Sequence, residues 1–191
     1  VSFKEIIKEE MEESIAAKQR LVMVCLDAIA AAAEMIVDSI SHGGRIYLCG
    51  NGGSAADSEH IACELIGRLR KKRIAVPAYS LASNVPVLTA LSNDYGYENV
   101  FAKQIEVHGL KDDLVIAIST SGESENVVKA AEAAQKKSMR VIAMTGKREN
   151  TLAGMADVAI MVPSDDTPRI QEGHMLIGHV LASVIEGAVN P

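Results

Sequence analysis

The apolar and polar positions of the chain follow two patterns. Residues 3–41 contain no Gly or Pro and are rich in Ala, Glu, Lys, Met and Ile, which predicts one long helix or two consecutive ones. Within them, LDAIAAAAEMIVDSI carries small residues on several faces. A helix packed closely on more than one side needs this, so the segment is expected to be buried, with a second subunit as one candidate neighbour. His42-Gly43-Gly44 ends this part of the chain.

From there the pattern alternates. Strands are predicted at Arg45–Cys49, Ala78–Leu81, Asp113–Ile118, Arg140–Thr145 and Val158–Val162. Helices are predicted at Ala55–Leu69, Val85–Leu91, Glu98–His108, Ser124–Lys137 and Arg169–Glu186, with a short turn of helix at Thr151–Ala153. Runs such as LVIAI and VIAMT do not alternate, as expected of strands covered on both faces. Strand–helix alternation then implies an α/β fold with a doubly wound, five-stranded parallel sheet. With neither a linker nor a repeat in view, residues 1–191 read as one domain: N-terminal helices over 1–43 and an α/β core over 44–191.

Composition narrows the function. A net charge of −6, no Trp, two Phe and four Tyr argue against nucleic acid as the main ligand, since a broad basic field and stacking platforms are both missing. The one basic run, RLRKKR at Arg68–Arg73, is expected to end a helix in solvent, where cations suit the dipole. Cys25, Cys49 and Cys63 are an odd count without framework spacing, which points to free thiols in a reducing cytoplasm. Charged residues interrupt both the start of the chain and Leu21–Val37, so neither a signal peptide nor a membrane span is expected.

In doubly wound sheets ligands bind beyond the carboxyl ends of the strands. Three polar stretches fall there: CGNGGS at Cys49–Ser54, NDYG at Asn93–Gly96 and STSGES at Ser119–Ser124. STSGES offers four hydroxyls, a glycine for a tight turn and the free amides of a helix start, all features of a phosphate cradle. It has no Walker lysine, and it also reads as an ordinary N-cap by Ser121 or Ser124. Glu123 and Glu125 oppose the phosphate reading unless they point away. GNGGS is a second strand-to-helix loop, though close helix–strand packing selects Gly as well. The acid that a dinucleotide site needs some 20 residues on is replaced by the basic run.

His60 and Glu64 are four residues apart on the predicted helix and share a face, as a surface pair, a metal pair or an acid/base couple. On the last helix, Gln171, Met175 and His179 advance by four. Gln171 and His179 then lie roughly 12 Å apart along the axis, so one metal would meet both only at full stretch. His174 falls on another side and is expected to be unrelated.

The combination CGNGGSAADSEH…E, SNDYG, STSGES and TPRIQEGH…H resembles the sugar isomerase (SIS) domain family, and within it the phosphoheptose isomerases, over the whole chain. The resemblance implies a five-stranded parallel sheet flanked by helices, assembled as a homotetramer. It implies interconversion of sedoheptulose 7-phosphate and D-glycero-D-manno-heptose 7-phosphate through an enediol, for nucleotide-heptose and surface-polysaccharide synthesis. It implies that Asn51, Gly52, Gly53, Ser54, Glu64, Asn93, Asp94, Ser119, Thr120, Ser121, Ser124 and Gln171 hold the sugar phosphate. His60, Glu64, Gln171 and His179 would surround one zinc per subunit, and Glu64 and His179 would be the acid/base groups. The rival from another class is a non-catalytic tetrameric adaptor of the same fold that binds a replication initiator protein. Such an adaptor has no need for Glu64, Gln171 and His179 together.

Overall fold

A computed structural model describes residues 1–70 and 74–189. Helix α1 spans Phe3–Val24 and opens on a capping box in which Ser2 and Glu5 satisfy each other's backbone N–H groups. Helix α2, Leu26–Ser41, follows after a break at Cys25, whose buried thiol donates to the Met161 carbonyl at 3.3 Å. The rest alternates: β1 Ile46–Cys49, α3 Gly53–Ile66, β2 Ala78–Ser80, α4 Val85–Tyr95, α5 Val100–His108, β3 Leu114–Ile118, α6 Glu125–Lys136, β4 Arg140–Gly146, α7 Thr151–Met155, β5 Val158–Val162 and α8 Thr167–Ala188. A single 3₁₀ turn, Tyr97–Asn99, joins α4 to α5.

The strands pair in parallel in the order β2-β1-β3-β4-β5, so the predicted doubly wound sheet is present. The chain steps from β1 outward to β2 and then crosses back past β1 to β3, which puts the topological switch point between β1 and β3. The loops after those two strands are GNGGS and STSGES.

Alternate strand residues feed two cores. Ile46, Leu48, Ile116, Ile118, Met144 and Ile160 pack with α2, α3 and α8. Tyr47, Cys49, Val115, Ala117, Val141 and Ala143 pack with α5 and α6 on the other face. Burial pushes the Cys49 thiol up to about 12, so it is an inert part of the strand.

The small-residue helix is buried as expected along one side, where Ile29, Ala32, Ala33 and Ile36 of α2 join the first core, while Leu26 and Ala30 stay exposed. Apolar surface is left open along α1, where Phe3, Ile7, Met11, Ile15 and Met23 are exposed. Two expectations are corrected. Helix α3 stops at Ile66, before the basic run, where Gly67 leaves helical geometry at φ −77° and ψ −140°. Leu69 and Arg70 then donate their backbone N–H groups to the buried Glu186 carboxylate at 3.1 Å, so this stretch is tied to α8 rather than ending a helix; positions 71–73 lie outside the described residues. Helix α4 runs on through Asn93 and Asp94 to a stop at Gly96, whose φ of 84° favours glycine, so these two residues sit on a last helical turn and not in a loop.

Candidate active site

Helix α8 lies against α3 because Gly178 has no side chain. A Cβ there would stand 2.5 Å from Cγ1 of Ile61. This close approach carries His179 to His60. Their Nε2 atoms are 3.1 Å apart, with ring centroids at 5.0 Å and ring planes tilted by 57°. Glu64 is one turn beyond His60, with Oε1 3.4 Å from His60 Nε2. Ligand atoms of His60, Glu64 and His179 all lie within 4.8 Å of one another. Two imidazole nitrogens and a carboxylate in that space form a group able to hold a metal ion. The group is open to solvent, since about half of the His60 side chain is accessible.

Gln171 stands apart from these three. Its amide lies against Gly53, where any Cβ would collide with it. Gly53 is about 10 Å up α3 from His60, at 1.5 Å per residue. The structure therefore places Gln171 with the GNGGS loop and not with the two histidines. Gly52, at φ 55°, turns the chain from β1 into α3, and the missing Cβ of Gly50 lets Ser54 close over it. Ser54 is buried in the first turn. Asn93 and Asp94 are exposed and bonded to each other at 2.9 Å.

In the STSGES loop, Ser119 Oγ lies 3.0 Å from Ser124 Oγ and 3.4 Å from Ser121 Oγ. Gly122, at φ 69°, makes the turn that gathers them. Ser124 occupies the N-cap position of α6 but makes no side-chain capping bond, which departs from the plain N-cap reading. The two acids point away from the hydroxyls. Glu123 accepts from the Thr151 N–H and hydroxyl at 2.8 and 2.7 Å, and these bonds hold its carboxyl below the ordinary glutamate range. Glu125 pairs with Lys129 at 3.0 Å. Thr120 and Ser121 face a cavity of about 350 Å³ whose far wall holds Lys147, Arg148 and Asp165. Both cations are paired with Asp165.

Three further residues are invisible to the motif reading. Asp57 is buried on α3, three residues before His60, and its Oδ2 has no hydrogen-bond partner. Burial pushes its carboxyl up to about 6, opposed by His60, and it faces a groove of about 450 Å³ with Lys18, Gln171 and Glu172. Helical spacing from His60 is the signal that could have found it. Asn126 and Tyr97 both bond to the side chain of Asn51. Nothing in the sequence relates positions 51, 97 and 126.

Among the described residues no helix is long and apolar enough to cross a membrane. The SIS domain family model matches residues 9–146. A phosphoheptose isomerase of Thermodesulfovibrio yellowstonii is 44% identical over 180 residues, covering 94% of this chain and 90% of that protein. The solved phosphoheptose isomerase of Francisella tularensis is 37% identical and superposes with a TM-score of 0.94 over 98% of this chain and 100% of that one. That of Neisseria gonorrhoeae is 38% identical, with a TM-score of 0.92 over 97% and 100%. A sheet ordered 2-1-3-4-5, polar loops at its switch point and relatives matched end to end agree: the chain belongs to the SIS domain family, in the branch of the phosphoheptose isomerases.

Proposed function

We propose that this protein interconverts sedoheptulose 7-phosphate and D-glycero-D-manno-heptose 7-phosphate. The observation that carries the reading is the meeting of His60, Glu64 and His179 on α3 and α8, on the same helix that the GNGGS loop opens. A carboxylate and an imidazole at one place are what proton transfer between two carbons and two oxygens requires. An adaptor of the same fold would have no use for them.

The phosphate docks on the hydroxyls of Ser119, Thr120, Ser121 and Ser124 and on the amides that open α6, where the helix dipole favours an anion. Asn51, Gly52, Gly53, Ser54, Asn93, Asp94 and Gln171 line the path of the sugar. Anchoring the far end orients C1 and C2 at the acid/base groups. Glu64 takes a proton from C1 of the ketose while protonated His179 gives one to O2, leaving a neutral enediol. His179 then accepts the O1 proton as Glu64 returns its own to C2, which completes the aldose. Each group ends in its starting state, so the cycle needs no other proton source.

The donor set also fits zinc. Two facing imidazole nitrogens 3.1 Å apart repel unless a proton or a cation lies between them, and the Glu64 carboxylate supplies negative charge. His60, Glu64 and His179 would hold the ion, with Gln171 reaching it only by leaving Gly53. Bound there, zinc would polarise the oxygens on C1 and C2. Glu64 cannot ligate tightly and accept the C1 proton at once, so its two roles alternate.

The open apolar side of α1 supports a homotetramer. Ile7, Met11 and Ile15 recur every fourth residue, and all are more than half exposed. A second copy of the chain covers this stripe. The direct test of the function is incubation of the purified protein with sedoheptulose 7-phosphate, followed by NMR. Appearance of the aldose supports it, and an unchanged ketose spectrum overturns it.

A further inference from the structure

The side chain of Asn51 ties the GNGGS loop to the elements that directly follow the other two polar stretches. Its Nδ2 donates to Asn126 Oδ1 at 2.8 Å, and its Oδ1 accepts from Asn126 Nδ2 at 2.8 Å. The same Oδ1 accepts from the Tyr97 hydroxyl at 2.9 Å. Asn51 belongs to GNGGS, Asn126 to the first turn of α6 after STSGES, and Tyr97 to the 3₁₀ turn after NDYG. Asn126 is buried, at 3% exposure, so this reciprocal amide pair is shielded from competing water.

An asparagine amide has two N–H groups and one carbonyl oxygen with two lone pairs. Both lone pairs of Asn51 and one N–H are occupied within the chain, which leaves one N–H for a ligand. Asn51 thus acts chiefly as a brace. A second cause acts on the same loop, since its turn at Gly52 sets the start of α3 and through it the height of His60 and Glu64. Holding Asn51 fixes the span between the hydroxyl loop at one end and the acid/base groups at the other.

We propose that Asn126 and Tyr97 are positioning residues, which hold the Asn51 amide so that the phosphate cradle and the acid/base groups stand one substrate length apart. The proposal rests on the isomerase reading above. The amide pair is the stronger of the two braces, because it is doubly bonded and buried. Tyr97 is the weaker, being about half exposed with a single hydroxyl bond.

The test is a double-mutant cycle read in steady-state kinetics with sedoheptulose 7-phosphate. Tyr97→Phe removes one hydrogen bond from an exposed ring and leaves the fold intact. It should raise KM about threefold while kcat stays within about twofold, and Asn126→Ala should raise KM about tenfold, in line with one and two lost hydrogen bonds. In an Asn51→Ala background both changes should lose most of their effect, because the group they hold is gone. A merely structural role would act equally in either background. Should Asn126→Ala fail to fold, Tyr97→Phe with and without Asn51→Ala decides alone. Wild-type turnover with an unchanged KM in Tyr97→Phe, or with effects that add fully to Asn51→Ala, overturns this proposal and leaves the isomerase reading standing. Wild-type protein that leaves the ketose unconverted overturns both.

Discussion

His60 and His179 point their Nε2 atoms at each other across 3.1 Å, from helices that Gly178 allows to touch. Only one of the two nitrogens can carry a proton in that contact, and the Glu64 carboxylate lies beside them. Such a pair is poised to share a proton or to receive a cation. Zinc titration of chelator-treated protein should therefore show uptake of one ion per chain that weakens in acid, where the imidazoles take protons instead. His60→Ala should lower the affinity at least tenfold with the fold unchanged. Absence of uptake by the wild type, with activity that survives a strong chelator, would leave these residues as acid/base groups alone.

Glu64→Gln keeps shape and hydrogen-bonding capacity but cannot accept a proton from carbon. Turnover should fall by at least ~10²-fold, the usual contribution of a general base. Circular dichroism should match the wild type. A variant that turns over at a near-normal rate would move the base elsewhere, with Asp57 the nearest buried carboxylate on α3.

Ser121→Ala and Ser124→Ala separate the proposed phosphate role of the STSGES loop from its role in the helix. Ser124 makes no capping bond, so alanine there removes little from α6 itself. Each change should weaken sugar-phosphate binding by about 1–3 kcal/mol, as for lost hydrogen bonds to a charged group. Calorimetric titration gives the comparison, and unchanged affinity in both variants would place the phosphate outside this loop.

The oligomer has its own test. Ile7→Glu with Met11→Glu puts two charges on the exposed stripe of α1, away from His60, Glu64 and His179. Light scattering should report a tetramer for the wild type and a smaller species for the variant. A mass that does not change between them would free this stripe from any role in assembly.

What the sequence made legible was whatever depends on local pattern. The apolar runs marked all five strands to within a residue or two, because buried parallel strands leave an unbroken apolar signature. The loops at the switch point followed from topology alone. His60 and Glu64 could be paired through helical spacing, whereas their meeting with His179 depended on Gly178, a packing detail between two helices 119 residues apart at the contact. The path of α4 through Asn93 and Asp94 was missed because both residues favour turns, and only the positive φ of Gly96 stops that helix. The Asn51–Asn126 pair spans 75 residues and has no sequence signature. The packing of one face of α2 on α8 and β5 was equally illegible, since small residues on a helix name a close neighbour without saying whose.

His174 of α8 is fully buried, with Nε2 3.3 Å from the Thr145 carbonyl and Nδ1 without a partner. The short list of neighbours fixes its state: Nε2–H donates to the carbonyl, and Nδ1 is left bare in the core. Burial pushes its pKa down from 6.5 to about 4, against a smaller opposing effect of the Thr145 carbonyl. Well above pH 6.5 the ring is neutral in folded and unfolded chains alike and adds no pH dependence. As pH falls from 6.5 toward 4 the unfolded chain takes up a proton that the folded chain refuses, so stability falls. The full loss is on the order of 3 kcal/mol, reached below about pH 4. His174→Gln keeps a donor for the Thr145 carbonyl and removes the titration. Urea unfolding at fixed protein concentration, run between pH 7.5 and about pH 4.5, should show the wild type losing stability faster than the variant below pH 6.5, while the remaining histidines cancel in the difference. Parallel curves for the two proteins would show that His174 can take up its proton without unfolding the chain.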